Sequence, residues 1–213
     1  MKTLVFHSGG LDSTLCLVMA LHAGLEIVSL GIDYGQRHRI ELEYAVAQCH
    51  KYNVKRHVIR IEWDKPVRNI PTGRSLETIR SGVSPAFLPG RNAVFLVLAC
   101  AEAVGIGADQ VWIGVNAIDF SGYPDCRPEF VAKFQLMIDM AIPSGIKVMT
   151  PLLQMSKPQI TVKAHQFGLQ PGDTWSCYQP RFVMEGIRPC GVCDACILHK
   201  HAWKEALHKS GNG

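Results

Sequence analysis

The sequence lacks an apolar run long enough to cross a bilayer, because its longest one, residues 93–101, falls far short of the roughly 18 residues that a membrane span needs. It also lacks the apolar core of a signal peptide ahead of its first glycine pair. With 47% apolar and 19% charged residues, the chain has neither a disordered nor a fibrous composition. We therefore expect a cytoplasmic globular protein with a well-filled core.

The sequence has no strong excess of either charge. Its formal net charge is +4 at pH 7, and its basic residues do not form the clustered stripe of a dedicated nucleic-acid-binding protein. This balance suits anionic small molecules as ligands. We expect no membrane partner and no stable nucleic-acid partner.

Disulfides are not expected in a reducing compartment, so the spacing of the eight cysteines is more informative than their number. Cys190, Cys193 and Cys196 form a C-x2-C-x2-C run, and Cys177 lies upstream across a proline-rich segment. Four thiolates in this pattern predict a closed structural zinc site. An iron–sulfur cluster is the alternative, because cysteines at this spacing also occur in ferredoxin-type runs.

The other four cysteines have simpler interpretations. Cys16, Cys49 and Cys100 fall within helical patterns, where small buried apolar side chains are expected. Cys126 lies in a polar loop beside Arg127, a cation that can lower the pKa of a thiol and make it reactive, although a loop cysteine is more often inert.

Apolar β-branched runs alternate with helical patterns along the chain. The alternation predicts an α/β fold with a doubly wound five-stranded parallel sheet, whose ligands bind at the carboxyl ends of the strands. Residues 1–170 are expected to form the nucleotide-binding domain, and residues 171–213 a small helical zinc-binding segment of the same compact unit. The predicted strands are 4–6, 27–32, 57–61, 111–115 and 148–152, and the predicted helices are 13–23, 40–52, 92–104 and 129–140.

The first strand is followed by the loop S-G-G-L-D-S at residues 8–13, directly ahead of a helical pattern. Two glycines at a helix N-terminus expose backbone N–H groups where a phosphate is favoured. The loop is not a Walker A motif, because no lysine precedes its last serine. A nucleotide site with chemistry other than γ-phosphoryl transfer is therefore predicted. The alternative is an ordinary helix turn capped by Asp12 or Ser13.

Other polar residues also follow strands or begin helices. Residues 37–39 form a basic run, which is either an anion site or a solvated charge cluster. Residues 119–127 form a polar loop, which either binds a heterocycle or is an ordinary turn. Arg91 and Lys157 stand at helix starts, where a cation is unfavourable to the helix dipole unless it binds a ligand.

Residues 62–92 form a long connection that we interpret as a lid. The basic residues of 199–209 are interpreted as a solvated helix face.

Taken together, these motifs resemble the 7-cyano-7-deazaguanine synthase (QueC) family of the PP-loop ATP pyrophosphatases over nearly the whole chain. The most specific part is residues 121–130 together with the four clustered cysteines. His7 and the short segment 63–88 depart from the family pattern. The resemblance rests on residues 8–13, 33–39, 89–92 and 119–130 and on Cys177, Cys190, Cys193 and Cys196.

The resemblance implies an adenine nucleotide alpha hydrolase-like fold, a homodimer and the ATP-dependent conversion of 7-carboxy-7-deazaguanine and ammonium to 7-cyano-7-deazaguanine. Carboxylate and amide would each be adenylated in turn, with Mg²⁺ accompanying ATP and Zn²⁺ in the cysteine site. The alternatives are a related ligase that stops at the amide or transfers the acyl group to a macromolecule, a tRNA sulfurtransferase, and a zinc-ribbon module that binds nucleic acid.

The resemblance also implies a role for individual side chains. The residues implied to bind ATP are Ser8, Gly9, Gly10, Leu11, Asp12, Ser13 and Thr14. The residues implied to be catalytic are Asp12, as a Mg²⁺ ligand, Arg91 and Lys157. The residues implied to bind the substrate are Arg37, His38, Asp119, Tyr123, Asp125 and Arg127. The residues implied to bind zinc are Cys177, Cys190, Cys193 and Cys196.

Overall fold

A sheet of five strands lies at the centre of the molecule. The computed structural model describes residues 1–36, 39–63, 70–81, 83–116, 123–143 and 145–210. The strands are hydrogen-bonded in the order β3–β2–β1–β4–β5, and all neighbouring pairs are parallel, which confirms the predicted sheet. The bounds are β1 (Lys2–Phe6), β2 (Glu26–Asp33), β3 (Lys55–Arg60), β4 (Gln110–Trp112) and β5 (Lys147–Met149).

Three strands end earlier than predicted, β3 by one residue and β4 and β5 by three residues each. β4 ends at Trp112 and β5 at Met149, rather than at residues 115 and 152. The Ile113 N–H still donates to the Met149 carbonyl at 2.9 Å, and the chain then leaves the sheet. The remaining apolar residues serve packing instead of strand pairing, since Leu152 lies in a turn and is fully buried.

Helices connect the strands and extend beyond them. The predicted helices that follow β1, β2 and β3 and precede β5 are all present, and one short helix, α3, lies within the stretch interpreted as a lid. In the described part of the chain no helix is both long and apolar enough for a bilayer span. The bounds are α1 (Leu11–His22), α2 (Ile40–Lys51), α3 (Leu76–Arg80), α4 (Arg91–Gly105), α5 (Pro128–Ala141), α6 (Lys157–Gln166) and α7 (Asp194–Ser210), with a 3₁₀ turn at Pro124–Cys126.

The two faces of the sheet carry separate apolar clusters, because successive strand residues point to opposite sides. Leu4 of β1 belongs to the cluster that includes α4 and α5, with Phe134 buried in it. Val5, the next residue, belongs to the cluster that includes α1 and α6, with Ile160 buried in it. Helices therefore cover both faces, as a doubly wound fold requires.

The C-terminal segment packs against the second of these clusters. Its antiparallel hairpin consists of β6 (Arg181–Val183) and β7 (Gly186–Arg188), and α7 buries Trp203 among the residues of α1 and α6. The division of the chain at residue 170 stays a prediction.

Candidate functional site

A cleft of about 390 Å³ lies at the carboxyl ends of β1, β2 and β4. β1 stands where the strand order reverses, with β2 and β3 on one side and β4 and β5 on the other. In open α/β sheets this crevice is where ligands bind. We call the part near Asp12 and Lys157 the phosphate end and the part near Arg91 and Tyr123 the aromatic end.

The glycine–serine loop forms the wall of the phosphate end. α1 begins at Leu11 after Gly10, and no side chain caps its N-terminus. The alternative interpretation of this loop, an ordinary helix turn capped by a side chain, therefore does not apply. The Ser8 N–H donates to the Ser13 hydroxyl oxygen at 3.2 Å, and the Ser13 hydroxyl donates to the Gly10 carbonyl at 3.1 Å. These bonds hold the loop in a shape that leaves α1's first N–H groups available to an anion.

Two loop residues predicted to bind ATP lie behind this wall. The Thr14 hydroxyl is buried and lies 2.8 Å from the Gly10 carbonyl and 3.2 Å from the Gln48 side-chain oxygen. The Gly9 carbonyl accepts from the Trp175 N–H at 3.1 Å. Both residues support the loop, whereas Ser8, Gly10, Leu11, Asp12 and Ser13 line the cleft.

A buried polar network lies beneath the loop and includes His7, which has no exposed surface. Its Nε2 is 2.8 Å from the Gln48 side-chain oxygen, and its Nδ1 is 3.1 Å from the Ser29 hydroxyl. Gln48 in turn donates to the Asp173 carbonyl at 2.6 Å. Burial, followed by the nearby Arg56 cation, lowers the pKa of His7 to about 3, so the ring is neutral.

Asp12 and Lys157 face each other across the phosphate end. The lysine Nζ lies 2.6 Å from both carboxylate oxygens, and Asn116 donates to one of them at 3.0 Å. His199 of α7 also lines the cleft here. Burial, and then the Lys157 charge, lowers its pKa. The interpretation of His199 as part of a solvated helix face is therefore wrong, because α7 folds back over the loop.

Arg91 lies at the centre of the aromatic end, directly after Gly90, which has a left-handed φ of 74°. Its guanidinium lies 6.0 Å from the Phe95 ring centroid, and the Tyr34 ring lies 5.1 Å from the same ring. Burial alone would lower the pKa of Arg91, but neighbouring hydroxyls, including those of Tyr34 and Tyr123, reverse this and raise it. A permanent cation beside aromatic faces suits a flat, anionic heterocycle.

Two predicted substrate residues lie away from the cleft wall as the described residues define it. The buried Asp125 accepts from the Asn92 N–H at 3.0 Å and so caps α4, which Asn92 itself does not cap. Arg127 is exposed at the start of α5. Tyr123 and Cys126 do line the cleft. Arg37, His38 and Asp119 lie outside the described residues.

Residues that the sequence did not single out complete the cleft. Glu41 lines the aromatic end, and the Gln36 amide donates to its carboxylate at 3.4 Å. Arg74, from the stretch interpreted as a lid, reaches the cleft and is paired with Asp194. Their positions depend on contacts between distant chain segments. The acidic first turn of α2 was the one local sequence feature that could have drawn attention to Glu41.

The four clustered cysteines come together at one buried point, with all sulfur atoms within 4.8 Å of one another. The Cys190 and Cys196 sulfurs are 3.9 Å apart. A tetrahedral ion with metal–sulfur bonds of about 2.3 Å sets its sulfurs roughly 3.8 Å apart. The Cys177 sulfur also accepts from the Cys190 N–H at 3.2 Å, as expected for a thiolate. The donor set thus fits a single metal ion.

The cysteine site also contacts the segment 70–81. Thr72 forms an antiparallel bridge with Cys193, and the Gly73 N–H donates to the Val192 carbonyl at 2.9 Å. Arg74 is ion-paired with Asp194. The cysteine loop therefore anchors the chain that forms one wall of the cleft.

The serine–glycine loop ahead of α1, the lysine–carboxylate pair and the cleft at the strand reversal define a nucleotide-binding α/β protein of the PP-loop type. The chain belongs to the family described as "Queuosine biosynthesis protein QueC", whose model matches residues 2–207. The predicted family is thereby confirmed, and the chain is an enzyme, an ATP-dependent ligase.

Named relatives agree with this family. The chain is 53% identical to "7-cyano-7-deazaguanine synthase 2" of Rhodopseudomonas palustris (strain HaA2), over 96% of this chain and 97% of the relative. It is 41% identical to "7-cyano-7-deazaguanine synthase" of Novosphingobium aromaticivorans, over 95% of this chain and 90% of the relative.

A solved structure shares the fold. The U34-tRNA thiolase NcsA from Methanococcus maripaludis, solved with its [4Fe-4S] cluster, superposes with a TM-score of 0.52 at 14% identity. The superposition covers 100% of this chain and 67% of that one. At this identity the likeness concerns the fold alone.

Proposed function

We propose that this protein is a 7-cyano-7-deazaguanine synthase, which converts 7-carboxy-7-deazaguanine and ammonia to the nitrile at the expense of ATP in queuosine biosynthesis. One observation carries the proposal beyond the names of the relatives. The glycine–serine loop at the start of α1 and a half-buried arginine among aromatic rings share one cleft. ATP and a flat, carboxylate-bearing base can therefore meet there.

The chemistry explains why ATP is needed. A carboxylate cannot expel hydroxide, because water has a pKa of about 15.7, whereas a phosphate ester leaves as a stable anion with a second pKa near 6. Attack of the carboxylate on the α-phosphate of ATP releases pyrophosphate and gives an acyl adenylate. Ammonia then displaces AMP and forms the amide. A second adenylation, now of the amide oxygen, allows that oxygen to leave as AMP and the nitrile to form.

At the phosphate end, the Ser8 hydroxyl, the loop N–H groups and Lys157 would bind the phosphates and stabilise the charge that develops on pyrophosphate. Asp12 is a carboxylate on the cleft wall and would hold Mg²⁺, which neutralises that leaving group when bound. Gly9 and Thr14 would act from behind by fixing the loop.

At the aromatic end, Arg91 would bind the substrate carboxylate, and Tyr34 and Tyr123 would contact the heterocycle. Arg37, His38, Asp119, Asp125 and Arg127 belong to the proposal through the family resemblance. Cys177, Cys190, Cys193 and Cys196 would hold a structural Zn²⁺ with no open coordination position. A cytoplasmic homodimer is part of the same proposal.

The test is to incubate the purified protein with ATP, Mg²⁺, ammonium and 7-carboxy-7-deazaguanine, and to identify the products by mass spectrometry while measuring AMP. Two AMP for each nitrile is the expected result. A reaction that stops at the amide would instead support the related ligase. No AMP and no modified deazaguanine would overturn the proposal.

Substitution at the phosphate end gives a second check. We expect Lys157→Ala to lower AMP formation about 100-fold, because the developing pyrophosphate charge loses its cation. Lys163→Ala is the matched control, since Lys163 lies on the same helix over the Phe167 ring. Equal effects of the two substitutions on AMP formation would contradict the assigned role of Lys157.

A further inference from the structure

The cleft contains three acidic side chains among its described residues, and two of them are ion-paired. Asp12 is paired with Lys157 and Asp194 with Arg74. Glu41 takes part in none of the ion pairs described, and the Gln36 amide at 3.4 Å is its one described hydrogen-bond donor. Among the described residues, Glu41 is thus the acidic side chain that lines the cleft without an ion-pair partner.

Glu41 is also close to the place where the chemistry occurs. A side chain at Gly9 of the phosphate-binding loop would lie 2.1 Å from the Glu41 carbonyl oxygen, so α2 presses directly against that loop. The carboxylate lies between the loop and the aromatic end, where the proposed carboxylate-binding Arg91 exerts the strongest attraction on it. The substrate carbon that is adenylated must be within reach of both the loop and Arg91.

The groups that face Glu41 come from three elements. They are the cations Arg91 of α4 and Arg56 of β3, together with Gln36 and Tyr34 after β2. Burial raises the pKa of Glu41 to about 7 and outweighs the opposing effects of Arg91, Gln36 and Arg56. A carboxylate with such a pKa both accepts a proton and releases it to solvent near neutrality.

We propose that Glu41 binds the incoming ammonium ion and accepts the protons that its nitrogen must lose on the way to the nitrile. The inference deepens the proposed function and rests on it. The ligand at this point is a small cation, which matches an unpaired carboxylate beside aromatic rings.

The nitrogen loses all of its protons in the reaction. Ammonium first gives one proton to the carboxylate, and the freed lone pair forms the C–N bond as the C–O bond to AMP breaks. A second proton then leaves to give the amide. After the amide oxygen has attacked the second ATP and released pyrophosphate, the nitrogen loses its last two protons. The C–O bond breaks, its electrons leave with AMP, and the triple bond forms.

The test is Glu41→Gln, which keeps the shape of the side chain and removes its basicity. Glu43→Gln is the matched control, because Glu43 lies in the same helical turn and is exposed. The amide is supplied as the substrate, so that the ionisation of ammonium does not contribute to the measured pH dependence. We expect Glu41→Gln to convert amide to nitrile at least about 100-fold more slowly than wild type. It should retain pyrophosphate exchange into ATP with the carboxylate substrate within about twofold.

The pH profile separates proton transfer from simple positioning. For wild type and Glu43→Gln, the rate from amide to nitrile should rise with pH through about 7 as Glu41 loses its proton. The profile of Glu41→Gln should lack this rise. If Glu41→Gln does not fold, Glu41→Asp is the replacement variant. Its pH profile for the conversion of amide to nitrile should be shifted, and its loss of rate should be smaller.

The possible results distinguish a failure of the role proposed for Glu41 from a failure of the proposed synthase function. If Glu41→Gln makes nitrile from the amide at the wild-type rate and with the wild-type pH profile, the inference is overturned while the proposed function stands. An unshifted Glu41→Asp profile has the same meaning. A wild-type protein that forms no AMP with the deazaguanine carboxylate overturns both.

Discussion

At the residue scale, the two adjacent glycines of the glycine–serine loop, Gly9 and Gly10, are under different constraints. Gly9 has a φ of +94°, and a Cβ there would lie 2.1 Å from the backbone oxygen of Glu41. Gly10 has an extended φ of −78°, and a Cβ there meets no atom closer than 3.5 Å. One glycine is required by the backbone and by helix packing, whereas the other leaves room for a ligand.

This difference predicts unequal effects of the same substitution. Gly9→Ala should destabilise the fold by about 2 kcal/mol or more, because it adds left-handed strain to a clash with backbone that cannot move away cheaply. Gly10→Ala should leave the free energy of unfolding within about 0.5 kcal/mol of wild type. Urea denaturation followed by circular dichroism measures both. Similar losses in the two variants would contradict the packing of α2 against the loop.

How much of the site the sequence predicts depends on whether its residues are neighbours in the chain. The loop from Ser8 to Ser13 and the cysteine run are local patterns, and the structure brings their members together as their spacing indicates. Glu41 and His199 reach the cleft only because α2 and α7 pack against the loop, and no local pattern contains that contact. Asp125 shows the converse, since a carboxylate in a polar loop turns out to cap a distant helix.

At the scale of secondary-structure elements, the apolar β-branched runs predicted the parallel sheet, because strands that helices cover on both faces are apolar along their whole length. Strand ends were less predictable. The apolar run that begins at Val111 continues to Val115, so the sequence alone does not mark Trp112 as the last strand residue. Ile113 and Val115 remain buried, but they pack beneath the cleft rather than extend the ladder.

The stretch interpreted as a lid is anchored to the cysteine loop by an ion pair and a backbone bridge. Arg74 pairs with the largely buried Asp194, which stands between two of the cysteines, and Thr72 bridges to Cys193. Removal of a metal ion held by the four cysteines would release their loop, since the cysteines would no longer be held at one point. The segment 70–81 should then lose its support.

We therefore expect metal removal by a chelator to speed amide hydrogen exchange in residues 70–81 about tenfold or more, while β1 stays protected. Arg74→Ala should produce part of the same effect with the metal still bound. Arg80→Ala, at an exposed position of the same segment, is the control. Unchanged exchange in 70–81 after verified loss of the metal would show that the segment is held by other contacts.

At the scale of the whole molecule, the buried His7 and the half-buried Glu41 make opposite contributions to the dependence of stability on pH. The pKa of His7 is lowered from 6.5 to about 3, so the unfolded chain binds a proton there that the folded chain does not, and stability falls as pH falls below 6.5. The pKa of Glu41 is raised from 4.5 to about 7, so the folded chain binds the extra proton, and stability is lost as pH rises through 7. Between about pH 5 and 6.5 the two effects oppose each other.

Single substitutions should separate these contributions. The difference in free energy of unfolding between His7→Gln and wild type should move in favour of the variant by about 2 kcal/mol as pH falls from 6.5 to 5, at about 1.4 kcal/mol per pH unit. For Glu41→Gln the difference should move against the variant over the same range. His208→Gln, at an exposed position, is the control variant. Urea titrations at each pH give the values. A His7→Gln difference that is constant with pH would mean that the ring beneath the glycine–serine loop takes up a proton in the folded protein as readily as in the unfolded chain. The neutral network from Ser29 through His7 and Gln48 to Asp173 would then have to be abandoned as the support of the loop.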